Sequence, residues 1–317
     1  MAIVDHFDVV VVGGANMDYL AKGRTLPAPG STVEGFAFQE APGGKGANQA
    51  VAAARLGARV AFVGGVGSDA RGLAIAKRLA DEGVDTRALK QNGAAETGVA
   101  LVMVDDKGEK QILTAPGANK MMSPADVEEA CSLIANAKVL LVQLELPLET
   151  VAAAIHYARA AGAHVVLDPA PPVPLSEELL SYVHVLRPNA HEAEALTGIV
   201  VCDRASARQA AENLMHRGLT SVCIGAPCGD LTLCSDGELW LPHLPVEAVD
   251  ATGAGDAFAA GLAVALAEGQ SLFGAARLAR AASACAITKL GAQAGLPFRR
   301  DAEKILRRFD QELQHPL

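Results

Sequence analysis

The segment Asp250-Ala-Thr-Gly-Ala-Gly-Asp256 runs directly into the apolar stretch AFAAGLAVALA at 257–267. A glycine-rich turn that opens a helix presents unpaired backbone N–H groups at the positive end of the helix dipole, and this turn also contains the carboxylate of Asp256. An anion-binding turn and a possible base in one segment suit phosphoryl transfer to a hydroxyl group. The alternative is structural: Gly253 and Gly255 make a tight turn, and Asp256 caps the helix.

The rest of the chain alternates between short apolar strands and alanine-rich helices. Nearly continuous apolar runs predict strands buried on both faces at 8–12, 59–63, 138–142, 163–167, 182–186 and 220–224. Helical patterns lie at 46–56, 70–81, 124–136, 148–161, 204–216, 256–267 and 272–288. This alternation predicts an α/β fold with a doubly wound, mostly parallel sheet flanked by helices.

Two segments interrupt this alternation, at about 19–42 and about 96–115. The first is rich in glycine, proline and charge, and the second alternates around Asp106-Lys107-Gly108 as a β-hairpin does. Such inserted strands predict a small β-sheet lid near the carboxyl ends of the main strands, where open α/β sheets bind ligands. We therefore expect residues 1–317 to form one α/β domain with these two lid segments inserted.

The composition excludes several functional classes. The chain has 27 Lys and Arg against 36 Asp and Glu, a net charge of −9, and so offers no basic surface for nucleic acid or an anionic membrane. Its 6 cysteines include no CxxC pair, which favours reduced thiols. No apolar run approaches the roughly 18 residues of a membrane helix, and the first residues read as a strand rather than a signal peptide. We expect a cytoplasmic protein that acts on small molecules.

Residues 13–18, directly after the first strand, contain two glycines and the polar residues Asn16 and Asp18. This segment lacks the third glycine of GxGxxG and no helix start follows it, which argues against a nicotinamide cofactor. Asn16 and Asp18 could hydrogen-bond to sugar hydroxyls, although turn chemistry would also explain both.

A second glycine-rich run, Gly43-Gly44-Lys45-Gly46-Ala47-Asn48, opens a helix. It resembles the end of a P-loop, but Gln39 and Gly46 stand where that motif requires Gly and Ser or Thr, so it is not a P-loop. The glycines still allow the backbone to approach a ligand closely, and the polar side chains of Lys45 and Asn48 could contact that ligand.

Acidic residues follow two other strands. Glu145 comes after the strand at 138–142, at the edge of the sheet where ligands bind. Asn189 and Glu192 are three residues apart at a helix start, so their oxygens could organise the water shell of Mg²⁺. A helix cap with a capping-box glutamate explains the same spacing, and this alternative stays open. His191 and Glu192 do not begin HExxH, so no zinc site is predicted.

Together these segments resemble the PfkB or ribokinase family of carbohydrate kinases. The resemblance rests on GGKGANQAVAAARLGA at 43–58 and VDATGAGDAFAAGLA at 249–263, supported by PNAHEAEALTG at 188–198 and GAQ at 291–293. It extends from about residue 8 to residue 298, and the intact GGKGANQ run favours the ribokinase branch over fructokinases, adenosine kinases and phosphofructokinases. It implies an ATP-dependent kinase that phosphorylates D-ribose at O5 to give ribose 5-phosphate.

The resemblance also implies roles for individual residues. Asp256 would be the general base, beside an anion hole formed by the backbone N–H groups of Gly253, Ala254 and Gly255. Ribose would contact Asn16, Asp18, Gly44, Lys45, Asn48, Glu145 and, in the lid, Ala100 and Ile112. The nucleotide would contact Asn189, Gly225, Gly229 and Gly255.

Two metal ions and a dimer are implied as well. Glu192 would hold Mg²⁺ through water, and a potassium ion would be held by Asp250, Thr252, Ala286, Lys289 and Gly291. Lid strands commonly pair across a dimer in this family, so a homodimer through the lid is expected.

The chain departs from the family pattern at three places. Residues 224–229 read Ile-Gly-Ala-Pro-Cys-Gly instead of a TLGxxG-like loop, which removes a threonine hydroxyl and, at Pro227, a backbone donor. Gly295 stands where ribokinases tend to have serine, and Gly14 replaces the serine of GSxNxD.

Other functions remain open at this stage. A kinase of the same family that acts on another sugar or on a nucleoside would share Asp256 and differ in the pocket. A non-catalytic sugar-binding protein of the same fold is the alternative from a different class.

Overall fold

The computed structural model describes residues 6–289 and 291–314, in which thirteen strands form two sheets. In chain order the strands are β1 (Phe7–Val12), β2 (Asn16–Gly23), β3 (Gly35–Gly43), β4 (Val60–Gly67), β5 (Asp85–Asn92), β6 (Gly98–Val104), β7 (Lys110–Ala115), β8 (Ala137–Val142), β9 (His164–Leu167), β10 (Val185–Leu186), β11 (Ser221–Ala226), β12 (Gly229–Cys234) and β13 (Gly237–Pro242).

The helices connect these strands and continue to the end of the described chain. They are α1 (Lys45–Arg55), α2 (Ala70–Asp81), α3 (Pro124–Glu129), α4 (Cys131–Ala135), α5 (Leu148–Ala160), α6 (Glu177–Ser181), α7 (Ala190–Thr197), α8 (Arg204–His216), α9 (Ala254–Ala267), α10 (Leu272–Ala286), α11 (Ala292–Gly295) and α12 (Arg299–Gln314). A 3₁₀ helix spans Gly117–Met121. None of the helices in these ranges is long and apolar enough to span a bilayer.

The main sheet has the order β13-β12-β11-β10-β9-β8-β1-β4-β5. Its strands pair in parallel from β11 to β5, whereas β12 and β13 are antiparallel additions at one edge. The valines of β1 explain its central place because side chains alternate between faces: Val10 and Val12 pack in one hydrophobic cluster, Val9 and Val11 in the other. The predicted mostly parallel sheet is therefore present, with helices on both faces.

A separate small sheet has the order β3-β2-β6-β7. It consists of the strands within the two predicted lid segments, and β6 and β7 form the expected antiparallel hairpin. The β2 strand pairs antiparallel with β3 and parallel with β6. We refer to β2, β3, β6 and β7 as the small sheet.

Several predicted boundaries were wrong. The helix predicted at 124–136 is two helices, α3 and α4, that meet at Ala130. The strand predicted at 182–186 is reduced to Val185–Leu186, because Tyr182 ends α6. The strands β5, β12 and β13 were not predicted, because they lack the continuous apolar runs on which the strand predictions depended.

Candidate active site

Several of the predicted site residues lie together at the carboxyl edge of the main sheet. The β1 strand leads into Gly13 and Gly14, β8 into Gln143 and Glu145, and β9 into Asp168. The N-termini of α1 and α9 open at the same edge, since Asn48 of α1 is hydrogen-bonded to Asp256 of α9. The site thus lies where open α/β sheets bind their ligands.

Glycine is required where the start of α1 meets β2. Gly44 caps α1 with φ of 88°, and a Cβ built on it would lie 2.7 Å from the backbone nitrogen of Asn16. A Cβ on Gly43 would lie 2.0 Å from a carboxylate oxygen of Asp18. Only residues without a side chain permit this approach. The GGKGAN run therefore brings Lys45 and Asn48 against the residues that follow β1.

A hydrogen-bonded chain of buried side chains holds Asp256. Asn48 Nδ2 donates to Asp256 Oδ2 at 3.0 Å. Gln49 Nε2 donates both to Asp256 Oδ1 at 3.1 Å and to Asp168 Oδ2 at 2.7 Å, and Gln49 Oε1 accepts from Gln143. Asn48 Oδ1 is buried without a hydrogen-bond partner among the described residues. The site therefore holds a fixed carboxylate beside an acceptor that a ligand hydroxyl could satisfy.

Burial raises the pKa of three carboxyl groups in this site. The pKa of Asp18 rises to about 7 through burial and the charge of Asp256. Burial likewise raises the pKa of Glu145 to about 7, although Lys45 opposes this shift. The pKa of Asp256 is raised mainly by burial and also by Asp168, against the opposing charge of Lys45. A proton-accepting role for Asp256 near neutral pH is consistent with this direction.

Lys45 carries the balancing positive charge. Burial opposes that charge, but carboxylates of Asp168, Asp256, Glu145 and Glu192 raise the Lys45 pKa above its ordinary value. Its backbone N–H donates to Glu145 Oε2 at 2.8 Å. Lys45 is thus held as an ammonium in an acidic pocket.

The first turn of α9 has the form of an anion-binding turn. Gly253 is its N-cap with φ of 83°, and no side chain caps the helix. Among the described residues, the backbone N–H groups of Gly253 and Gly255 have no hydrogen-bond partner, while that of Ala254 makes a long bond of 3.3 Å to Ala251 O. The alternative of a simple aspartate cap does not apply, because Asp256 bonds to Asn48 and Gln49 instead.

The small sheet supplies the other wall. Asp18 and Ala100 are cross-strand partners in β2 and β6, and Val102, two residues further on, pairs with Ile112 of β7. Because side chains alternate along a strand, Asp18, Ala100 and Ile112 share one face. This face borders a cleft of about 240 Å³ lined in part by Asp18 and Thr252. Asn16 is held separately, since its Oδ1 accepts from Asn119 Nδ2 at 2.8 Å.

Asn189 and Glu192 form the capping box of α7. Glu192 N donates to Asn189 Oδ1 at 2.9 Å, and Asn189 N donates to Glu192 Oε2 at 2.8 Å. The structural alternative of the sequence analysis is therefore present. Glu192 is nevertheless buried, with a pKa raised by burial and by Asp168. The buried carboxylates of Glu192 and Asp168 fit a Mg²⁺ site in which water molecules lie between the protein and the ion. A cluster of three or more metal-ligating side chains does not occur in the described chain.

Asp250 and Thr252 meet as predicted, but an ammonium group lies against them. Lys110 Nζ, at the end of the small sheet, donates to Asp250 Oδ1 at 2.9 Å and also to Thr252 Oγ1. Gly291 N donates to Asp250 Oδ2 at 3.0 Å. The pKa of Asp250 is well below its usual range because these donors outweigh burial. A Cβ on Gly295 would lie 2.1 Å from Ala286 O, so this position cannot supply a serine oxygen without a shift.

The remaining residues predicted to bind potassium or the nucleotide lie in positions that give less support to a ligand contact. Ala286 ends α10 in the core, whereas Lys289 is exposed. Gly225 forms a parallel bridge with Asn189, which brings the 224–229 hairpin beside the start of α7. Gly229 lies in β12, where a Cβ would come within 2.7 Å of the Trp240 ring. That contact accounts for the glycine through packing alone.

The sequence reasoning missed several site residues. Asp168 follows β9 as Glu145 follows β8, so the same signal would have found it. Gln49 connects Asp168 with Asp256, and Gln143 donates to Gln49, but single glutamines give no comparable signal in the sequence. Lys110 and Arg187 approach the site from distant segments, which only the fold brings together.

Comparison with known proteins places this site in a family context. Residues 6–299 match the family described as pfkB family carbohydrate kinase. The chain is 40% identical over 299 residues to the ribokinase of Haemophilus influenzae, covering 94% of this chain and 98% of that protein. It is 36% identical over 255 residues to a deoxyribokinase of Salmonella typhi, covering 79% of this chain and 83% of that protein.

A solved structure agrees with the sequence comparison. The ribokinase of Arabidopsis thaliana, complexed with ribose and ATP, superposes with a TM-score of 0.88 at 32% identity, covering 96% of this chain and 99% of that chain. This likeness confirms the predicted fold class.

Proposed function

This chain belongs to the pfkB family of carbohydrate kinases, and we propose that it transfers the terminal phosphoryl group of ATP to O5 of D-ribose, giving ribose 5-phosphate and ADP. The observation that carries this proposal is the buried Asp256, held by Asn48 and Gln49 at the N-terminus of α9. A base and unpaired backbone donors in one turn suit attack by a hydroxyl on a phosphoryl group.

In the proposed reaction, Asp256 takes the proton of the O5 hydroxyl as the bond from O5 to the γ-phosphorus forms. The bond from that phosphorus to the β-phosphate oxygen breaks, and its electron pair leaves with ADP. The N–H groups of Gly253 and Gly255, with that of Ala254, stabilise the charge on the transferring group. The unpartnered Asn48 Oδ1 accepts from a sugar hydroxyl and orients the attacking oxygen.

The other pocket residues hold the sugar. The side-chain oxygens of Asn16, Asp18 and Glu145 accept hydrogen bonds from the hydroxyls of the sugar. The Lys45 ammonium donates to the sugar, and Gly44, which has no side chain, leaves room for the sugar ring. Ala100 and Ile112 cover it from the shared face of the small sheet. We propose that the small sheet acts as the lid of a single-domain enzyme, and that outward apolar side chains on this sheet mediate a homodimer.

Asn189 and Glu192, together with Asp168, would hold Mg²⁺ through water beside the nucleotide phosphates, with Gly225 and Gly229 bordering the nucleotide. When bound, Mg²⁺ would neutralise charge on the β- and γ-phosphates. We also propose that the reaction takes place in the cytoplasm, which agrees with ATP as co-substrate and with the free thiols of the six cysteines.

A potassium ion at Asp250, Thr252, Ala286, Lys289 and Gly291 stays a prediction of the family resemblance. These residues fit a potassium ion poorly, because Lys110 Nζ is hydrogen-bonded to Asp250 Oδ1 and Thr252 Oγ1. Gly295 supplies no side-chain oxygen to the site. We therefore assign no step of the reaction to potassium.

A coupled ADP-release assay with ATP and Mg²⁺ tests the proposal over ribose, 2-deoxyribose, fructose and adenosine. We expect the highest kcat/KM with ribose. A higher value for deoxyribose or adenosine would redirect the assignment within the family. Absence of turnover on every compound, with ribose binding retained, would favour the non-catalytic sugar-binding protein.

A further inference from the structure

Arg187 is a buried arginine at the carboxyl end of β10. Its backbone N–H donates to Leu167 O at 2.9 Å, which fixes the residue against β9. Only 7% of its surface is exposed, and its guanidinium carbon lies 4.7 Å from the ring centroid of Phe258. A ring face attracts a cation but does not satisfy its N–H groups. The guanidinium therefore still requires acceptors.

The guanidinium is not fully hydrogen-bonded within the described part of the chain. Arg187 Nε is buried without a hydrogen-bond partner, and no ion pair of this guanidinium is formed among the described residues. The comparison with Arg55 is informative, because that guanidinium also lies over a phenylalanine ring but pairs with Glu82 at 2.7 Å. Glu192 interacts with this charge only at longer range, and a buried guanidinium without a direct ion pair is costly, so Arg187 is a group that an anionic ligand would complete.

The guanidinium faces the proposed phosphate position. A Cβ on Gly255 would lie 3.0 Å from Arg187 Nη1, and a Cβ on Gly225 would lie 3.5 Å from Nη2. Its two terminal nitrogens therefore bridge the anion-binding turn of α9 and the hairpin at 224–229. This hairpin offers no hydroxyl at Ile224 and no backbone donor at Pro227, and the guanidinium supplies donors that these two positions lack.

We propose that Arg187 binds the phosphate chain of ATP, contacting oxygens of the β- and γ-phosphates during transfer. This inference rests on the proposed kinase function. A guanidinium presents paired donors that match phosphate oxygens, and its charge stabilises the negative charge that develops on the β-phosphate oxygen as the bond to the γ-phosphorus breaks. Arg187 is thus a further catalytic residue beside Asp256, and it replaces donors absent from the hairpin.

The test compares Arg187→Met with Arg187→Lys and with the control Arg55→Met. For each protein, the melting temperature is measured alone, with ADP and with ribose 5-phosphate, and ADP and ribose binding are measured by calorimetry. Kinetic constants for ATP and ribose complete the comparison. Removal of an unpaired buried charge should leave the melting temperature of Arg187→Met unchanged or raised, whereas Arg55→Met should melt lower because Glu82 and two carbonyl acceptors lose their donor.

We expect Arg187→Met to lose the ADP-induced rise in melting temperature and roughly 10²- to 10³-fold in kcat, with ribose binding intact and partial recovery in Arg187→Lys. Normal ADP affinity and turnover in Arg187→Met would overturn the proposal, as would a melting temperature lowered as far as in Arg55→Met with ADP binding kept. Loss of stabilisation by ribose 5-phosphate alone would assign Arg187 to the product phosphate instead. Since ADP binding needs no sugar turnover, Arg187 can be judged even if ribose proves not to be the substrate.

Discussion

The pKa values of the site residues depend on one ammonium group, that of Lys45, which interacts with several buried carboxylates. Lys45 is surrounded by four of these carboxylates, and its pKa is raised accordingly. One cation cannot neutralise them all, so burial raises the pKa of Asp18, Glu145, Glu192 and Asp256. The carboxyl groups of the site therefore accept protons at a higher pH than free carboxyl groups do.

Asp256 is the residue whose replacement tests the chemistry most directly. The change Asp256→Asn removes the proton acceptor but keeps an oxygen for the Asn48 hydrogen bond. We expect kcat to fall roughly 10²- to 10⁴-fold, with ribose affinity measured by calorimetry largely unchanged. Turnover near the wild-type level would exclude Asp256 as the base.

Glu145 predicts a pH dependence of stability. Its folded pKa of about 7 lies above the usual 4.5, so the folded state holds this proton more tightly than the unfolded state. Its contribution to stability is complete below about pH 4.5 and is lost as the pH rises to 7. Urea unfolding at pH 5 and pH 7.5 gives the loss of unfolding free energy between these pH values. We expect this loss to be about 1 to 2 kcal/mol smaller in Glu145→Gln than in wild type.

The matched control is Glu149→Gln, an exposed glutamate in the first turn of α5. It should leave the pH dependence of wild type unchanged. An equal loss of stability between the two pH values in wild type and Glu145→Gln would contradict the assignment.

At the scale of elements, two helix N-termini build the site. Both α1 and α9 begin at glycines with positive φ, and neither has a side-chain cap. Helices that lack a cap leave N–H groups for a ligand, whereas α7 caps itself with Asn189 and Glu192. The glycine patterns at 43–46 and 253–255 therefore indicated correctly where two helices begin without a side-chain cap.

Lys110 joins the small sheet to the turn before α9. Through Asp250 and Thr252 it places a fixed cation where the family resemblance predicts a mobile one. We expect wild-type kcat to change little between potassium and sodium buffers of equal ionic strength. We expect Lys110→Met to lower kcat and to restore part of it in potassium, with a potassium-dependent rise in melting temperature that wild type lacks.

Lys107→Met serves as the control, since Lys107 lies at the exposed turn of the same hairpin. It should behave as wild type in both buffers. Strong potassium activation of wild type would show that Lys110 yields its position to the ion.

At the scale of the whole molecule, one face of the small sheet is left uncovered. Phe36, Phe38 and Leu113 are 64%, 68% and 68% exposed, and Phe38 stacks on Tyr19 with ring centroids 6.2 Å apart. An apolar face of this kind on a sheet is typical of a protein interface. It supports the proposed homodimer.

Phe38→Lys should convert the proposed dimer into a monomer, because the proposed interface would have to bury an unpaired charge. Light scattering coupled to size-exclusion chromatography measures the mass directly. The control Leu73→Lys changes an equally apolar side chain on α2, 60% exposed, and should leave the mass unchanged. A wild-type monomer, or a dimeric Phe38→Lys protein, would contradict an interface through this face.

Local pattern was sufficient for much of this molecule. Apolar runs determined the buried parallel strands, because a strand covered on both faces must be apolar throughout. Glycine turns determined the starts of α1 and α9, because a positive φ and close backbone approach admit little else. The break between α3 and α4, the short β10 and the strands β5, β12 and β13 were missed, because packing rather than local pattern decides them.

The sequence by itself determined the fold class, the family and the residues of its two glycine-rich signatures. Only the tertiary structure decided how Asn48 and Gln49 hold Asp256, which ammonium meets Asp250, and that Arg187 Nε lies unpaired near Gly255. Local propensities act over a few neighbours, whereas these contacts join segments far apart in sequence. Their energies depend on burial, which raises the strength of a paired charge and the cost of an unpaired one.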